Sequence, residues 1–285
     1  MATAAGFYDT RPGVHFAAAG DLLRSGRLTM GRVIAIVNQK GGVGKTTTAV
    51  NLSAALAMTG SSVLMIDVDP QASATSGLGI RLTVGEASTY DVLLGQTSAE
   101  GALRKTMLPG LQVLPASRDL VGAEIELVSL DRREHRLREA IVGVRWRYDY
   151  VVIDCPPSLG LVTLNALTAS DSLVIPLQCE YYALEGLTAL LETVGLVRES
   201  LNPDLAIEGL LLTMFDGRNI LCRQVAEDVR SHFPDKVFGT IVPRNVRLSE
   251  SPSHGLPALL YDPSSRGAAA YSELAREVLA QSLRE

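Results

Sequence analysis

The fold of this chain is decided by the stretch Asn38-Gln39-Lys40-Gly41-Gly42-Val43-Gly44-Lys45-Thr46-Thr47-Thr48. An apolar run over residues 33–37 precedes it, and an Ala- and Leu-rich segment over residues 49–58 follows it. The pattern predicts a strand, a glycine-rich turn and a helix in succession. Glycine allows positive φ, so that backbone N–H groups and the helix N-terminus can face one anion. The stretch therefore predicts a phosphate-binding loop.

The loop departs from the usual spacing G-x-x-x-x-G-K-[ST], because Gln39 stands where the first glycine falls. Lys40 and the pair Gly41-Gly42 follow instead, which gives the variant K-G-G-x-G-K-[ST]. We predict that Lys45 reaches the β- and γ-phosphates of a nucleotide and that Thr46 holds Mg²⁺. A triphosphate with Mg²⁺ leaves roughly two negative charges, of which Lys45 offsets one.

Aspartates stand at the ends of two further apolar runs. Asp67 and Asp69 follow the run over residues 62–66, and Asp154 follows Tyr150-Val151-Val152-Ile153. Since ligands of open parallel sheets bind at the carboxyl ends of strands, we expect these carboxylates beside the phosphate loop. We interpret Asp67 and Asp154 as supports of the Mg²⁺ shell and Asp69 as the group that positions the attacking water.

Apolar runs and helical patterns alternate along the rest of the chain. Further strands are predicted at residues 111–115, 173–177 and 205–215, and helical segments at residues 99–105, 117–130, 132–142, 183–200, 219–232 and 267–283. This alternation predicts one α/β domain over residues 30–285, with a doubly wound, mainly parallel sheet flanked by helices. Residues 1–29 are rich in Ala and Gly without a sustained period, and we expect a flexible N-terminal extension there.

Composition limits the classes of function. The chain has 285 residues, is 47% hydrophobic and carries a net charge of −5. It can bury one sizeable core, and the charge argues against a uniformly basic surface for nucleic acid. No apolar run approaches the roughly 18 residues of a membrane span, and the three cysteines show no C-x-x-C spacing. We expect a soluble cytoplasmic protein without a disulfide framework, a zinc site or a membrane role.

Five segments carry a family resemblance. They are residues 40–48, Asp67-Val68-Asp69-Pro70-Gln71, Asp154-Cys155-Pro156-Pro157-Ser158, Glu180-Tyr181-Tyr182-Ala183-Leu184-Glu185-Gly186 and Pro243-Arg244-Asn245-Val246-Arg247-Leu248-Ser249-Glu250. Together they resemble the ParA/Soj family of chromosome-partitioning ATPases, which are P-loop proteins of the deviant Walker A type. The first three segments are shared by all deviant Walker A ATPases, whereas the last two are typical of the ParA/Soj branch. The likeness runs from about residue 31 to the carboxyl terminus.

The resemblance implies a role for each position of the site. ATP or ADP with Mg²⁺ would be bound by Gly41, Gly42, Val43, Gly44, Lys45, Thr46 and Thr47. Pro243 and Asn245 would recognise adenine. The catalytic residues would be Lys40, Lys45 and Asp69, and the metal-binding residues would be Thr46, Asp67 and Asp154. Lys40 would reach the phosphates of a second copy, so that a homodimer forms around ATP and separates after hydrolysis.

The resemblance also implies that the ATP dimer binds double-stranded DNA without sequence preference. A ParB-type centromere-binding partner would stimulate hydrolysis and release the protein, which would be associated with the nucleoid. The candidate DNA contacts are Arg218, Arg223, Arg230, Lys236 and Arg247. Arg223 and Arg230 share one face of the predicted helix over residues 219–232, although Glu227 and Asp228 dilute its charge. Such binding is expected to weaken steeply with salt.

Other functions of the same fold stay open at this point. A nucleotide-gated DNA-binding regulator would show equally slow hydrolysis. A MinD-like positioning ATPase would need a basic amphipathic tail, whereas the last predicted helix balances Arg276 with Glu273 and Glu277. An amide-forming enzyme would depend on a small carboxylate and ignore DNA, and a nitrogenase-type iron protein would need cluster cysteines.

Overall fold

The computed structural model describes residues 30–282, which form one eight-stranded sheet covered by helices. The strands are β1 (Arg32–Ile36), β2 (Val63–Asp67), β3 (Arg104–Lys105), β4 (Leu111–Leu114), β5 (Tyr150–Asp154), β6 (Ser172–Gln178), β7 (Ala206–Phe215) and β8 (Val237–Pro243). Their spatial order is β3-β4-β2-β5-β1-β6-β7-β8. Every neighbouring pair is parallel except β3 and β4. The predicted doubly wound, mainly parallel α/β sheet is confirmed.

Within residues 30–282, twelve α-helices of very different lengths lie between these strands or after β8. They are α1 (Lys45–Met58), α2 (Ser73–Gly77), α3 (Thr89–Leu93), α4 (Ala99–Ala102), α5 (Leu120–Glu126), α6 (Arg136–Arg145), α7 (Leu161–Ala169), α8 (Ala183–Ser200), α9 (Ile220–His232), α10 (Val246–Glu250), α11 (Ala258–Tyr261) and α12 (Arg266–Ser282). Short 3₁₀ turns at Leu127–Ser129 and Ser251–His254 follow α5 and α10. None of the helices between residues 30 and 282 combines the length and apolar character of a membrane span.

The sheet separates two hydrophobic cores, and β1 contributes to both. Val33 and Ala35 pack with residues of α5 to α9 on one face. Ile34 and Ile36 pack with residues of α1 and α12 on the other. Successive side chains of a strand point to opposite faces, so a central parallel strand is apolar at every position. This burial on both faces explains the continuous apolar runs of the sequence.

Parallel pairing brings the ends of three strands to one place. In the register of β2 and β5, Asp67 lies beside Asp154, and in that of β1 and β5, Ile36 lies beside Asp154. The loop that follows β1 therefore starts next to Asp154, and Asp67 lies one strand further away. The chain leaves β1 between β5 and β6, where connections diverge to both sides of the sheet, which is where open α/β sheets bind ligands.

Some predicted boundaries were wrong. The segment over residues 99–105 is helical only in α4, and Arg104–Lys105 form the antiparallel edge strand β3. The helix predicted from Ser117 begins after Asp119, because the Ser117 hydroxyl donates to the Asp119 carboxylate at 3.1 Å instead of capping a helix. The helix predicted from Arg132 starts later, as α6, since Arg132 has a φ of 52° that a right-handed helix excludes.

The division of the chain into an extension and one domain stays a prediction. The extension over residues 1–29 lies outside the described residues, as does the end of the domain over residues 283–285.

Helix α12 is joined to α1 by a buried hydrogen bond. The hydroxyl oxygens of Tyr271 and Thr48 are 3.0 Å apart, and both side chains are buried. Burial raises the pKa of the Tyr271 phenol above its ordinary value, so the group stays neutral. This bond fixes the carboxyl-terminal helix against the helix that follows the phosphate loop.

We predict that Tyr271→Phe lowers the free energy of unfolding by about 1 kcal/mol, because the Thr48 hydroxyl loses its buried partner. Urea denaturation measures the change. The double variant Tyr271→Phe, Thr48→Val should lose little more than the worse single variant, and fully additive losses would argue against coupling. Tyr148→Phe, which removes a partly buried bond to Gln112, is the matched control.

Candidate functional site

The phosphate loop runs from the end of β1 to the start of α1 and is shaped by two glycines. Gly42 and Gly44 have φ values of 76° and 91°, in the left-handed region that favours glycine. Gly44 is the N-cap residue of α1, no side chain within residues 30–282 caps this helix, and its first turn contains no acidic residue. The first N–H groups of α1 are therefore available to an anion, as a phosphate site requires.

Neighbouring strands hold this loop in place. The Thr213 hydroxyl, near the end of β7, donates to the Val43 carbonyl at 2.8 Å. The Asn38 amide donates to the Pro176 carbonyl in β6 at 2.7 Å and accepts from the Lys40 N–H at 3.0 Å. The loop is thus preorganised by contacts with two strands on one side of β1.

The two lysines of the loop have different surroundings. Lys45 is 7% exposed and its Nζ donates to the Lys40 carbonyl at 3.0 Å. Burial lowers the pKa of Lys45, and the nearby Asp154 carboxylate opposes this. The Lys40 side chain is instead ion-paired with Glu180, which follows β6, and both side chains are close to half exposed. An ion pair this exposed adds little stability, so Lys40 is available for exchange of partners.

Asp154 carries the least satisfied charge of the site. It is fully buried, and neither carboxylate oxygen has a hydrogen-bond partner among residues 30–282. Burial, and then the neighbouring Asp67 carboxylate, raise the pKa of Asp154 well above its ordinary value, while the nearby Thr46 hydroxyl and Lys45 ammonium oppose the increase. A buried carboxylate without partners is costly, and a cation that accepts oxygen ligands would remove that cost.

The ligands available at this position fit Mg²⁺. Among the described residues, no three His, Cys, Asp or Glu side chains cluster closely enough to hold a metal by themselves. Mg²⁺ does not need such a cluster, because it is usually held by one or two protein oxygens together with water and substrate phosphates. The Asp154 carboxylate, the Thr46 hydroxyl and a phosphate on the loop would supply such a set.

Asp67 is already engaged with the chain that follows it. One of its oxygens accepts from the Asp69 N–H at 3.1 Å, and the other accepts from the Thr75 N–H at 2.8 Å and the Thr75 hydroxyl at 2.7 Å. Burial raises the pKa of Asp67, although the Thr75 bonds act in the opposite direction. Asp67 therefore holds the loop between β2 and α2 at the edge of the sheet, beside Asp154.

Asp69 lies on that loop, half-buried. One carboxylate oxygen accepts from the Gln71 N–H at 2.9 Å. At the end of the loop, Ala72 has a φ of 51°, a conformation that costs a non-glycine residue about 1–3 kcal/mol. Strain of this kind is often found where a loop changes conformation during function. The second oxygen of Asp69 is available to orient a water molecule.

A cavity of about 340 Å³, here called the base cavity, opens beside the phosphate loop. Its lining residues include Gly44, Thr47, Thr213, Met214, Pro243, Arg244, Asn245, Leu248 and Tyr271. The Asn245 side-chain oxygen accepts from the Arg247 N–H at 3.0 Å and caps α10, so its amide nitrogen is the group left for a ligand. The structure thus brings Pro243 and Asn245 to the loop, although they are far from it in sequence.

The candidate DNA contacts do not all lie together. Lys236 precedes β8 and donates to the Ile207 carbonyl, whereas Pro243 and the base cavity lie at the other end of that strand, roughly 20 Å away. Arg223 and Arg230 are exposed along α9. The structure therefore separates Lys236 from the nucleotide edge of the sheet.

Two of the candidate arginines already have acidic partners. The Arg218 side chain is 91% exposed and bonds to Asp216 at 2.8 and 2.9 Å, which lowers the pKa of Asp216 to about 2. Arg247 pairs with Glu250 at 2.8 Å and with Asp262 at 3.1 Å. Their positive charge is therefore partly neutralised within the chain.

Sequence reasoning missed several residues that shape the site. They are Thr75, which binds Asp67, Glu124, which accepts from the first N–H groups of α7, and Thr213, Arg244 and Tyr271, which line the base cavity. Thr213 follows an apolar run in β7, so the strand-end rule used for the aspartates would have found it. The partners of Thr75 and Glu124 depend on loop conformation, which leaves no periodic signal.

Comparison with known proteins agrees with this geometry. A family model described as "AAA domain" matches residues 31–207. The sporulation initiation inhibitor protein Soj of Bacillus subtilis is 59% identical over 251 residues, which are 88% of this chain and 99% of that protein. The chromosome partitioning protein ParA of Caulobacter vibrioides is 56% identical over 252 residues, covering 88% of this chain and 94% of the relative.

A solved structure is similar as well. The crystal structure named cobyrinic acid a,c-diamide synthase, from Mycobacterium smegmatis with bound ADP and magnesium, superposes with a TM-score of 0.77. It is 40% identical, and the match covers 88% of this chain and 94% of that one. This solved relative therefore binds ADP and magnesium on the same fold.

The sheet, the glycine loop and the strand-end aspartates define a P-loop ATPase of the deviant Walker A class. Within that class, the relatives just described identify the branch. The chain belongs to the ParA/Soj family of chromosome-partitioning ATPases.

We predict that Asp154→Asn raises the free energy of unfolding of the ligand-free protein by about 1–3 kcal/mol near neutral pH, because a buried charge without partners is removed. A carboxyl group whose pKa is raised by folding destabilises the folded state increasingly as the pH rises above the pKa of the unfolded chain. The gain should therefore shrink as the pH falls towards the unfolded value near 4. Urea denaturation across this pH range, without Mg²⁺, measures it.

The same Asp154→Asn variant should lose Mg²⁺-dependent ATP hydrolysis, so that stability and activity change in opposite directions. Asp131→Asn, at an exposed aspartate, is the control and should change neither. A lower stability of Asp154→Asn than of the wild type at neutral pH would contradict this prediction. It would mean that the Asp154 carboxylate has hydrogen-bond partners in the metal-free protein.

Proposed function

We propose that this protein is an ATPase of DNA segregation that dimerises around ATP and Mg²⁺, binds double-stranded DNA without sequence preference, and leaves DNA when a ParB-type partner stimulates hydrolysis. The observation that carries the proposal is the unsatisfied, buried Asp154 beside Thr46 and the preorganised loop, because such a site is complete only with a metal-bound nucleotide. The relatives named for chromosome partitioning support DNA segregation as the process served.

The residues of the loop would bind and position the phosphates. The N–H groups of the loop and of the α1 N-terminus would donate to them, with Lys45 next to the β- and γ-phosphates. Asp154 and Thr46 would hold Mg²⁺, which supplies charge neutralisation at the transferred phosphoryl group. Asp69 would accept a hydrogen bond from the attacking water and orient it. Little basicity is required of Asp69, since phosphoryl transfer depends mainly on positioning and electrostatics.

Lys40 would act between subunits. In the single chain it is paired with the exposed Glu180, and such a pair contributes little stability. A γ-phosphate of a second copy offers Lys40 a more highly charged partner, so the exchange favours a homodimer that contains ATP. Hydrolysis would remove that partner, and the dimer would separate.

DNA binding would belong to the dimer, because two copies of a weak basic surface bind a polyanion much more tightly than one. The sequence candidates for this surface are Arg218, Arg223, Arg230, Lys236 and Arg247. A protein with this property would be associated with the nucleoid in the cytoplasm.

An amide-forming enzyme is the second candidate, since the Mycobacterium smegmatis structure at 40% identity carries the name of a diamide synthase. The chain is more similar to the Bacillus subtilis Soj protein, at 59% identity, which favours segregation. The two functions differ in what controls turnover. An amide-forming enzyme requires a small carboxylate and is indifferent to DNA, whereas a segregation ATPase responds to DNA and to its partner.

The proposal is tested by binding of the full-length protein to a random DNA duplex at low and moderate salt. Three states are compared, namely no nucleotide, ADP, and a non-hydrolysable ATP analogue with Mg²⁺. We expect binding only in the ATP-analogue state, with an affinity that falls steeply as salt increases. If no state binds DNA, the nucleotide site stands, but segregation is wrong and the amide-forming activity becomes the candidate.

We predict that Asp69→Ala binds ATP and dimerises like the wild type but hydrolyses ATP at least about 100-fold more slowly, because the attacking water is no longer oriented. Single-turnover hydrolysis and size-exclusion chromatography with ATP measure the two properties. Asp235→Ala, which removes an exposed aspartate before β8, should behave like the wild type. A monomeric Asp69→Ala protein in the presence of ATP would count against this role.

For Lys40→Ala, we expect nucleotide binding without dimerisation, because Lys45 and the loop N–H groups remain while the contact to the second copy is lost. Analytical ultracentrifugation with the ATP analogue separates the two states. The control is Lys105→Ala, which removes a lysine of the edge strand β3 and should dimerise normally. If Lys40→Ala dimerised normally, the proposed contact of Lys40 with the second copy would not be required for the dimer.

A further inference from the structure

A second cavity, here called the arginine cavity, adjoins the base cavity. It has a volume of about 550 Å³ and is lined by Phe215, Asp216, Gly217, Arg218, Pro243, Arg244 and Arg266. The three arginines come from three separate parts of the chain, which are the loop after β7, the loop after β8 and the first residue of α12. Three arginines therefore line one cavity of a protein whose net charge is −5.

Two of these arginines have no ion pair among the described residues. Among the described residues that line the cavity, Asp216 alone has a carboxylate, and it is bonded to Arg218. Arg244 and Arg266 are exposed, and within residues 30–282 neither side chain has an ion pair or hydrogen bond. The cavity is therefore lined by two arginines whose guanidinium donors have no partner within residues 30–282, and the N-terminus of the 17-residue helix α12 adds to the positive potential there.

The other basic residues of this side of the molecule are less available. Arg247 has two acidic partners, and Arg218 has one. On α9, Arg223 and Arg230 share the exposed surface with Glu227 and Asp228. Of the arginines on this side of the molecule, Arg244 and Arg266 thus combine the absence of an ion pair within the described residues with a position in one cavity.

We propose that Arg244 and Arg266 are the central phosphate contacts of the DNA-binding surface. This inference rests on the proposed binding of double-stranded DNA. Guanidinium groups bind phosphate oxygens through paired N–H donors, and such contacts position a duplex without reading its sequence. Sequence-independent binding requires contacts of this kind, with no donor or acceptor directed at base edges.

The position of these arginines also connects DNA with the nucleotide. Pro243 and Arg244 line both cavities, and the Arg244 N–H donates to the Phe215 carbonyl at 3.1 Å, which ties the loops after β7 and β8 together. Tyr271 lines the base cavity and lies on α12, the helix that begins with Arg266. A base bound next to Pro243 and Tyr271 would therefore contact the two segments that carry Arg244 and Arg266.

The test is the double variant Arg244→Ala, Arg266→Ala in the full-length protein with Mg²⁺ and the non-hydrolysable ATP analogue. Affinity for a random duplex is measured by fluorescence anisotropy over a range of salt concentrations. Each phosphate contact contributes about 0.9 to the slope of log affinity against log salt. We expect the slope to fall by about 1.8 per protomer, with a loss of affinity of at least about tenfold at moderate salt.

The control removes two positive charges elsewhere, with Lys105→Ala on β3 and Arg138→Ala on α6, both exposed. It should leave the slope nearly unchanged, which separates phosphate contact from a change in net charge. Arg244→Lys with Arg266→Lys keeps the charge and should keep most of the slope while losing affinity, since lysine lacks paired donors.

Two results would overturn the inference. One is an unchanged slope in the alanine double variant while the wild type binds DNA. The other is an equal loss of affinity for the ATP analogue itself, measured by calorimetry, because the arginines would then belong to the nucleotide site. Failure of the wild type to bind DNA in every nucleotide state would instead overturn the proposed function and this inference with it.

Discussion

Two buried carboxylates that lie side by side are the constraint on which the rest of the structure depends. Parallel pairing of β2 and β5 places Asp67 next to Asp154, and burial raises the pKa of both. Thr75 satisfies Asp67 through its N–H and hydroxyl, whereas neither carboxylate oxygen of Asp154 has a hydrogen-bond partner within residues 30–282. Folding thus buries a carboxyl group whose ionised form is unfavourable, and a cation next to Thr46 would stabilise that form.

The sheet order explains how this charge comes to lie beside a phosphate site. Strand β1 lies between β5 and β6, so the loop after it leaves next to Asp154 on one side and is held through Asn38 and Thr213 on the other. Lys45 at the start of α1 lies between loop and carboxylates. A nucleotide and a metal bound at the loop would therefore lie beside these carboxylates. The base cavity extends this connection to β8 and α12.

The sequence was sufficient for the features that depend on local pattern. The spacing from Lys40 to Thr46 predicted the loop, and aspartates after apolar runs predicted the strand ends, because both follow from chain geometry alone. It was insufficient where contacts depend on distant partners. Two examples are the ion pair of Lys40 with Glu180 and the cavity that Arg244 and Arg266 both line. Both depend on how distant segments pack, and no periodic sequence pattern predicts that packing. The predicted helix start at Ser117 was wrong because the Ser117 hydroxyl bonds to the nearby Asp119 carboxylate instead of capping a helix.

We infer that Asp154, Thr46 and the loop form a site for a magnesium-bound nucleotide. The most direct measurement is calorimetric titration of the wild type with a non-hydrolysable ATP analogue, with Mg²⁺ and again with a chelator. We expect tight binding with Mg²⁺ and a loss of at least about tenfold in affinity without it, since phosphates and Asp154 would then repel each other. Binding of equal strength in both conditions would contradict it.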